Sequence, residues 1–290
     1  MHVKHFSGRV AVVTGGASGI GYGMVENFLK LGMKVVIVDF NSRYLEEAKH
    51  TLAGRNDVHF VQADVGNRDA VRAAADEAIR AFGKIHVLCN NAGVGGGGDT
   101  HDPDFDAWDH ALRVNLGGVV NGTKIIAPLI LKHGEGGHIV NTSSMAGIVP
   151  LPLPGLGAYQ TAKFAVRGFT ESLRMSLAPH GIGVSCLFPG GTRTRIIEAG
   201  AADDAARAAA KEITASWMDP VELGAHVVEG IRNNAPYILT HMEFREEVRD
   251  LYGMLDSAFP RNQDVPPGRG GFEDHRRAMV NQLRALPIKD

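Results

Sequence analysis

The stretch Val10-Ala-Val-Val-Thr14-Gly15-Gly16-Ala-Ser18-Gly19-Ile20-Gly21 constrains this chain more than any other. Val10 to Val13 is a short apolar run that reads as a buried strand. Glycines follow at Gly15, Gly19 and Gly21, and Ile20 to Leu31 has the apolar spacing of a helix. Strand, glycine turn and helix in that order bring a helix N-terminus up to a diphosphate, whose charge meets unpaired N–H groups and the positive end of the helix dipole. Glycine is needed there because a Cβ blocks the approach of backbone to phosphate. The spacing is G-x3-G-x-G, and 36 glycines in 290 residues produce clusters by chance, so a ligand-free turn stays open from this segment alone. The next apolar run, Lys34–Val38, ends in Asp39. An acid at that offset is placed to bind adenosine ribose hydroxyls and to repel a 2′-phosphate, which makes NAD the expected cofactor over NADP. An ordinary strand-end acid is the alternative, and Arg43 lies nearby.

Strand-like and helix-like runs alternate for most of the length. Strands are predicted at Arg9–Thr14, Lys34–Val38, Val58–Gln62, Ile85–Cys89, His138–Thr142, Gly183–Phe188 and Tyr237–Thr240. Helices are predicted over 19–31, 42–53, 67–82, 105–131, 158–178 and 220–233. Continuous apolar strands are covered on both faces. The expected fold class is therefore α/β: a single-domain, Rossmann-like, doubly wound parallel sheet of about seven strands with helices on both faces. Residues 1–240 form the predicted dinucleotide-binding and catalytic domain, and 241–290 a C-terminal helical extension. In that extension Glu243–Phe259 and Phe272–Leu286 read as helices, joined by a turn-rich linker, Pro260–Gly271.

Composition excludes several classes. The 30 basic and 32 acidic residues are well mixed, with no basic stripe, so a nucleic-acid partner is not expected. Apolar runs such as Ile125–Leu131 are too short to span a bilayer, so no membrane partner is expected. Cys89 and Cys186 read as separate reduced thiols, consistent with a cytoplasmic protein, and the histidines show no ligand spacing for a metal.

Ligands in such sheets sit beyond the carboxyl ends of the strands. Small and polar residues fall there in sequence: the glycine turn, Asp39, Asp64-Val65, Asn90-Asn91-Ala92-Gly93, Ser143-Ser144 and Pro189-Gly190. The Gly-rich segment 94–100 reads as mobile or as a plain connector. The proline-stiffened segment 148–157 reads as a substrate wall or as packed filler.

Tyr159 and Lys163 lie four apart at the start of a helix and share one face. A phenol titrates near ~10, so action as a base near neutrality needs about 4 kcal/mol of help. An ammonium at about 5 Å supplies about 3 kcal/mol at an effective dielectric near 20. A Tyr-x3-Lys pair alone is also a common solvated helix face; its place after the fifth strand gives it weight.

At this point the chain resembles the short-chain dehydrogenase/reductase family over residues 6–240. The resemblance rests on Thr14-Gly-Gly-Ala-Ser-Gly-Ile-Gly21, Asp64-Val65, Asn90-Asn-Ala-Gly93, Val114-Asn115, Ser143-Ser144, Tyr159-x3-Lys163 and Pro189-Gly190-x3-Thr194. It implies Tyr159 as general acid/base, with Ser144 hydrogen-bonding the substrate oxygen. It implies that Lys163 binds the nicotinamide ribose and lowers the Tyr159 pKa, while Asn115 holds a water in a proton relay. Cofactor contacts implied are Gly15, Ser18, Gly19, Ile20, Gly21, Asp39, Asp64, Val65, Asn91, Ala92, Gly93, Tyr159, Lys163, Pro189, Gly190, Thr192 and Thr194. Ser144 and Tyr159 are fifteen residues apart, slightly more than the family pattern, which leaves Ser143 as an alternative to Ser144. Thr192 replaces a branched apolar residue, though its N–H still serves.

The function implied is NAD(H)-dependent interconversion of a secondary alcohol and a ketone. Phe164–Leu173, Phe188–Gly191 and the long tail look similar to bacterial dehydrogenases of lignin-derived aryl-ether benzylic alcohols; steroid and alicyclic alcohols are further options. Ile196, Ile197, Trp217 and Met218 are candidates to line an apolar pocket. Arg193 and Arg195 read as solvated, with an anionic substrate as the alternative. The family usually forms homo-tetramers through the helices predicted here at 105–131 and 158–178, so a homo-oligomer, dimer or tetramer, is expected. The alternative class is a non-catalytic NAD-binding scaffold or sensor; a sugar-nucleotide epimerase is disfavoured by the short chain beyond the sixth strand. The tail covers the pocket, packs on a partner or stands exposed.

Overall fold

The computed structural model describes residue 3 and residues 5–198, 203–260 and 264–286. Seven parallel strands form one sheet in the order β3-β2-β1-β4-β5-β6-β7. They are β1 Val10–Thr14, β2 Lys34–Asp39, β3 Val58–Gln62, β4 Val87–Asn90, β5 Gly137–Thr142, β6 Ile182–Phe188 and β7 Tyr237–Leu239. The order reverses between β1 and β4, and the crevice at such a switch point is where open α/β sheets bind ligands.

Successive strand residues point to opposite faces, and the core divides accordingly. Val13, Val35, Ile37, Val87 and Val140 face α1 (Gly19–Lys30), α2 (Ser42–Thr51) and α9 (Pro220–Arg232). Val12, Val36, Val38, Leu88 and Ile139 face α3 (Arg68–Phe82), α5 (Gly118–His133) and the end of α6 (Gly157–Leu177). The doubly wound α/β sheet is thus as the sequence predicts, with apolar side chains each adding about 1.5–3 kcal/mol on full burial.

Several boundaries differ. β4 begins at Val87, two residues later than predicted, because the Ile85 carbonyl accepts from the His133 ring at 2.7 Å. The helix predicted over 105–131 is α4 (Phe105–Leu112), a π-helical turn at Arg113–Gly117, and α5. The helical stretch Phe105–His133 is long and apolar enough to cross a membrane, which the sequence reading did not see. It is a core helix here: Val114, Val119, Ile126 and Ile130 are buried.

Short helices α7 (Arg195–Glu198) and α8 (Asp204–Thr214) follow β6. Helix α10 (Arg245–Ser257) and helix α11 (Pro267–Ala285) make up the tail. The predicted linker ends early, because Pro267 occupies the first turn of α11, where proline's fixed φ suits a helix start. Residues 261–263 of that linker lie outside the described residues.

The segments 94–100 and 148–157 are tied to each other. Gly98 pairs with Leu156, Gly157 N–H donates to Gly98 O at 3.0 Å, and Gly155 N–H donates to Asp99 Oδ1 at 2.5 Å. The segment read as mobile or as a plain connector is thus hydrogen-bonded to the proline-stiffened one.

Candidate active site

The carboxyl ends of β1, β4 and β5 are laced together by two threonines and an asparagine. Thr14 Oγ1 donates to Cys89 O at 3.3 Å and accepts the N–H groups of Asn91 at 2.9 Å and Ala92 at 3.1 Å. The Asn91 side chain donates to Thr14 O at 3.2 Å and accepts from Thr142 Oγ1 at 3.3 Å. Thr14 and Thr142 were not among the candidate site residues, although Thr14 lies inside the glycine motif.

The glycine turn is shaped for close approach. Gly15 has φ +62°, and a Cβ there would stand 2.9 Å from Ala92 Cα. Gly19 has φ +52°, and its Cβ would stand 3.0 Å from Thr194 Cγ2, which brings the loop after β6 onto this turn. Ser18 takes the N-cap position of α1 without a side-chain capping bond, and no acid stands in the first turn. Ser18 thus leaves the N-terminal N–H groups without a side-chain cap, an arrangement in which a helix N-terminus can take an anion. Ile20 packs on the core beside them, and Gly21 lies against Gly15 O with no room for a side chain.

Asp39 is buried at the end of β2, where Oδ2 accepts from Ala17 N–H at 3.1 Å and Oδ1 from Asn41 N–H at 3.0 Å. Burial pushes its carboxyl above the usual range, against these hydrogen bonds. Arg43 is engaged with Glu47 at 3.0 Å. Asp64 behaves differently. Burial alone would raise it, but Arg113 at 2.7 Å and the Gly66 N–H at 2.8 Å outweigh that and lower it. Val65 is buried, and its carbonyl accepts from Asn121 Nδ2 at 2.9 Å. Arg113 and Asn121 were not anticipated.

The Lys163 ammonium is buried, donates to Thr142 O at 3.0 Å, and lies 5.4 Å from the Tyr159 ring centroid. A Cβ on Gly93 would come within 3.5 Å of it and within 2.7 Å of Asn115 Oδ1, so Gly93 leaves a gap beside both groups. Asn115 sits in the π-helical turn, fully buried, and its amide brackets Val94: Nδ2 donates to Val94 O and Oδ1 accepts Val94 N–H, both at 3.0 Å. Extra-turn geometry of this kind recurs at functional sites because it redirects one side chain.

The two serines separate cleanly. Ser143 Oγ donates to Lys163 O at 2.7 Å and faces the body of α6. Ser144 Oγ accepts Ala146 N–H at 3.1 Å, reaches Pro189 O at 3.5 Å and stands close enough to Tyr159 to draw its hydroxyl pKa downward. Ser144 is therefore the serine beside the phenol.

Burial acts on both members of the tyrosine–lysine pair. Burial pushes the Tyr159 hydroxyl above the ordinary phenol value, with the nearby Ser144 opposing it only in part. Burial also pushes Lys163 down, to about 8. Desolvation of the pair penalises both charged forms, and so works against the expected lowering of the phenol.

In the Pro189–Thr194 segment, Pro189 O accepts Met145 N–H at 2.8 Å and Thr192 Oγ1 donates to Gly190 O at 3.2 Å. Trp217 and Met218 were candidates for a pocket wall; instead they brace this segment. Met218 N–H donates to Gly191 O at 3.0 Å, and the Trp217 ring closes over Gly191. Ile196 lies beside Gly95; the Ile197 side chain falls outside the described residues. Neither arginine is simply solvated: Arg193 pairs with Asp219, and Arg195 with Glu47 at 2.7 Å while covering the Tyr44 ring at 4.4 Å.

The one close His/Glu cluster among the described residues, His86, His133 and Glu135, has its ring nitrogens engaged in hydrogen bonds to Val10 N–H, Glu135 and Ile85 O.

A glycine turn against an uncapped helix, a buried acid at the end of β2 and a serine–tyrosine–lysine cluster at the same sheet edge define a dinucleotide-binding oxidoreductase. Residues 9–205 match the short chain dehydrogenase family. The C alpha-dehydrogenase of Sphingobium sp. strain SYK-6 is 32% identical over 286 residues, 93% of each chain. A short-chain dehydrogenase structure from Novosphingobium aromaticivorans has a TM-score of 0.85 at 36% identity, covering 98% of this chain and 99% of that one. A Burkholderia phymatum member in complex with NAD has a TM-score of 0.78 at 34% identity, covering 90% and 99%. The chain belongs to the short-chain dehydrogenase/reductase family and is an oxidoreductase of that family.

Proposed function

We propose that this chain is an NAD(H)-dependent alcohol dehydrogenase or ketoreductase that interconverts an apolar or aromatic secondary alcohol and its ketone. The observation that carries this reading is the buried Lys163 ammonium 5.4 Å from the Tyr159 ring, with Ser144 beside the phenol, on the strand edge that carries the glycine turn. The residues present fit a dinucleotide: the turn and the uncapped α1 N-terminus take the diphosphate, and Asp39 takes the ribose hydroxyls. When bound, the nicotinamide exchanges hydride with a carbon of the substrate. Tyr159 donates or accepts the proton at the substrate oxygen, and Ser144 hydrogen-bonds that oxygen. Lys163 holds the ribose and offers positive charge to the phenolate, while Asn115 fixes the backbone beside it. Oxidised nicotinamide adds a second positive charge, which supplies what the lysine alone does not.

The 32% identity to a C alpha-dehydrogenase, over 93% of each chain, supports a benzylic alcohol as the substrate class. The reading includes a homo-oligomer, and Phe105, Val120 and Phe164 expose apolar surface on the helices that would form it. It also includes a cytoplasmic location, where the buried Cys89 and Cys186 stay as thiols.

The test is NADH formation by wild type and Tyr159→Phe over aryl, steroidal and alicyclic secondary alcohols, each with NAD and NADP. Turnover of one class with NAD, lost in the variant, is expected. Equal turnover in the variant overturns the assigned role, and NAD binding without turnover of any alcohol favours a sensor.

A further inference from the structure

His241 is the first residue of the C-terminal extension, and its imidazole is buried against the loop that follows β6. Gly190 N–H donates to His241 Nδ1 at 3.0 Å. An N–H only donates, so Nδ1 is the acceptor and the proton sits on Nε2. Nε2 lies 3.0 Å from Gly191 O and donates to it. The Thr240 hydroxyl also lies 2.7 Å from Nδ1 and, able to donate or accept, sets no tautomer by itself. One ring thus bridges the N–H and C=O groups of two successive residues.

The packing is as close as the hydrogen bonding. A Cβ on Gly190 would stand 2.6 Å from His241 Cγ and 3.0 Å from Phe244 Cε2. Position 190 therefore needs glycine because an imidazole lies on it. Phe244, Val248 and Leu251 then pack on Met145, Ile148 and Phe188, so the tail is anchored behind the ends of β5 and β6.

We propose that His241 is a positioning residue for the cofactor, clamping the Pro189–Gly191 turn so that Pro189–Thr194 presents its backbone to the nicotinamide carboxamide. The inference rests on the proposed dinucleotide binding and on the family resemblance, which places Pro189–Thr194 at the carboxamide end of the cofactor. The ring touches no reacting atom; it acts through Gly190 and Gly191. Removing both bonds while keeping the ring volume would loosen this end of the site and leave the adenosine end intact.

The test compares wild type, His241→Phe and His241→Gln by calorimetric binding of NADH and of ADP-ribose, which lacks nicotinamide. A glutamine amide carries an acceptor and a donor about as far apart as the two imidazole nitrogens. His241→Phe is expected to weaken NADH by about ten-fold, the scale of one or two neutral hydrogen bonds, with ADP-ribose unchanged. His241→Gln is expected to restore most of the loss. Unaltered NADH affinity in His241→Phe overturns the inference, as does equal weakening of both ligands, which marks a general loss of structure. A wild type that binds NADH no better than ADP-ribose overturns instead the assignment of this segment to nicotinamide.

Discussion

Ser143 and Lys163 are joined through the wrong atoms for catalysis: the serine hydroxyl donates to the lysine's backbone carbonyl at 2.7 Å, leaving its ammonium free to reach Thr142 O. The neighbouring Ser144 turns to Tyr159. Ser144→Ala should lower kcat by about two orders of magnitude, as for loss of a donor to a developing oxyanion. Ser143→Ala should keep turnover and cost about 1–2 kcal/mol, because a buried carbonyl loses its partner. Steady-state kinetics and denaturant unfolding of both variants check this; the reverse pattern would reassign the serines.

Tyr159→Phe should reduce turnover by about two orders of magnitude or more, the scale of a lost general acid–base, with NAD affinity kept. Single-turnover kinetics with a calorimetric binding control measure the two effects separately.

The pH dependence follows from the sign of the tyrosine shift. Burial raises Tyr159, so its base form is scarce at neutral pH and grows in the alkaline range. Alcohol oxidation should therefore gain kcat/KM as pH rises, while ketone reduction should be flat near neutrality and fall in alkali. Profiles in both directions, with Ser144→Ala moving the oxidation midpoint upward, test this. A profile indifferent to the serine would contradict the influence of Ser144 on Tyr159.

Lys163 carries a stability cost. Its folded value is about 8 against 10.5, so the unfolded chain holds the proton more tightly and stability rises between about pH 8 and 10.5. Lys163→Met should be more stable at pH 7 by on the order of 1–2 kcal/mol, once the lost bond to Thr142 is counted, and inactive. The difference should narrow as pH rises through that window. Unfolding curves at pH 7 and pH 10 decide it.

Asp39→Ala should improve NADP use relative to NAD, since a buried carboxylate repels a 2′-phosphate. The kcat/KM ratio for the two cofactors is the measurement. Some stability should be lost as well, because Ala17 N–H and Asn41 N–H lose their acceptor.

The sequence determined the layered sheet, because apolar runs of strand length between helical periodicities have few ways to bury both faces. It also determined the string of small and polar residues at the strand ends, since each is a local signal of a turn or a cap. Only the tertiary structure decided which serine meets the tyrosine, since Ser143 and Ser144 differ by one step along an extended backbone and so face opposite ways. Only it revealed that burial works against the lysine, because desolvation depends on what packs around a side chain and not on spacing. The link from His241 to Gly190 joins positions 51 apart, and the pairing of segments 94–100 and 148–157 is likewise non-local. Contacts of that kind leave no periodicity to read; they exist once the sheet has brought its strand ends side by side.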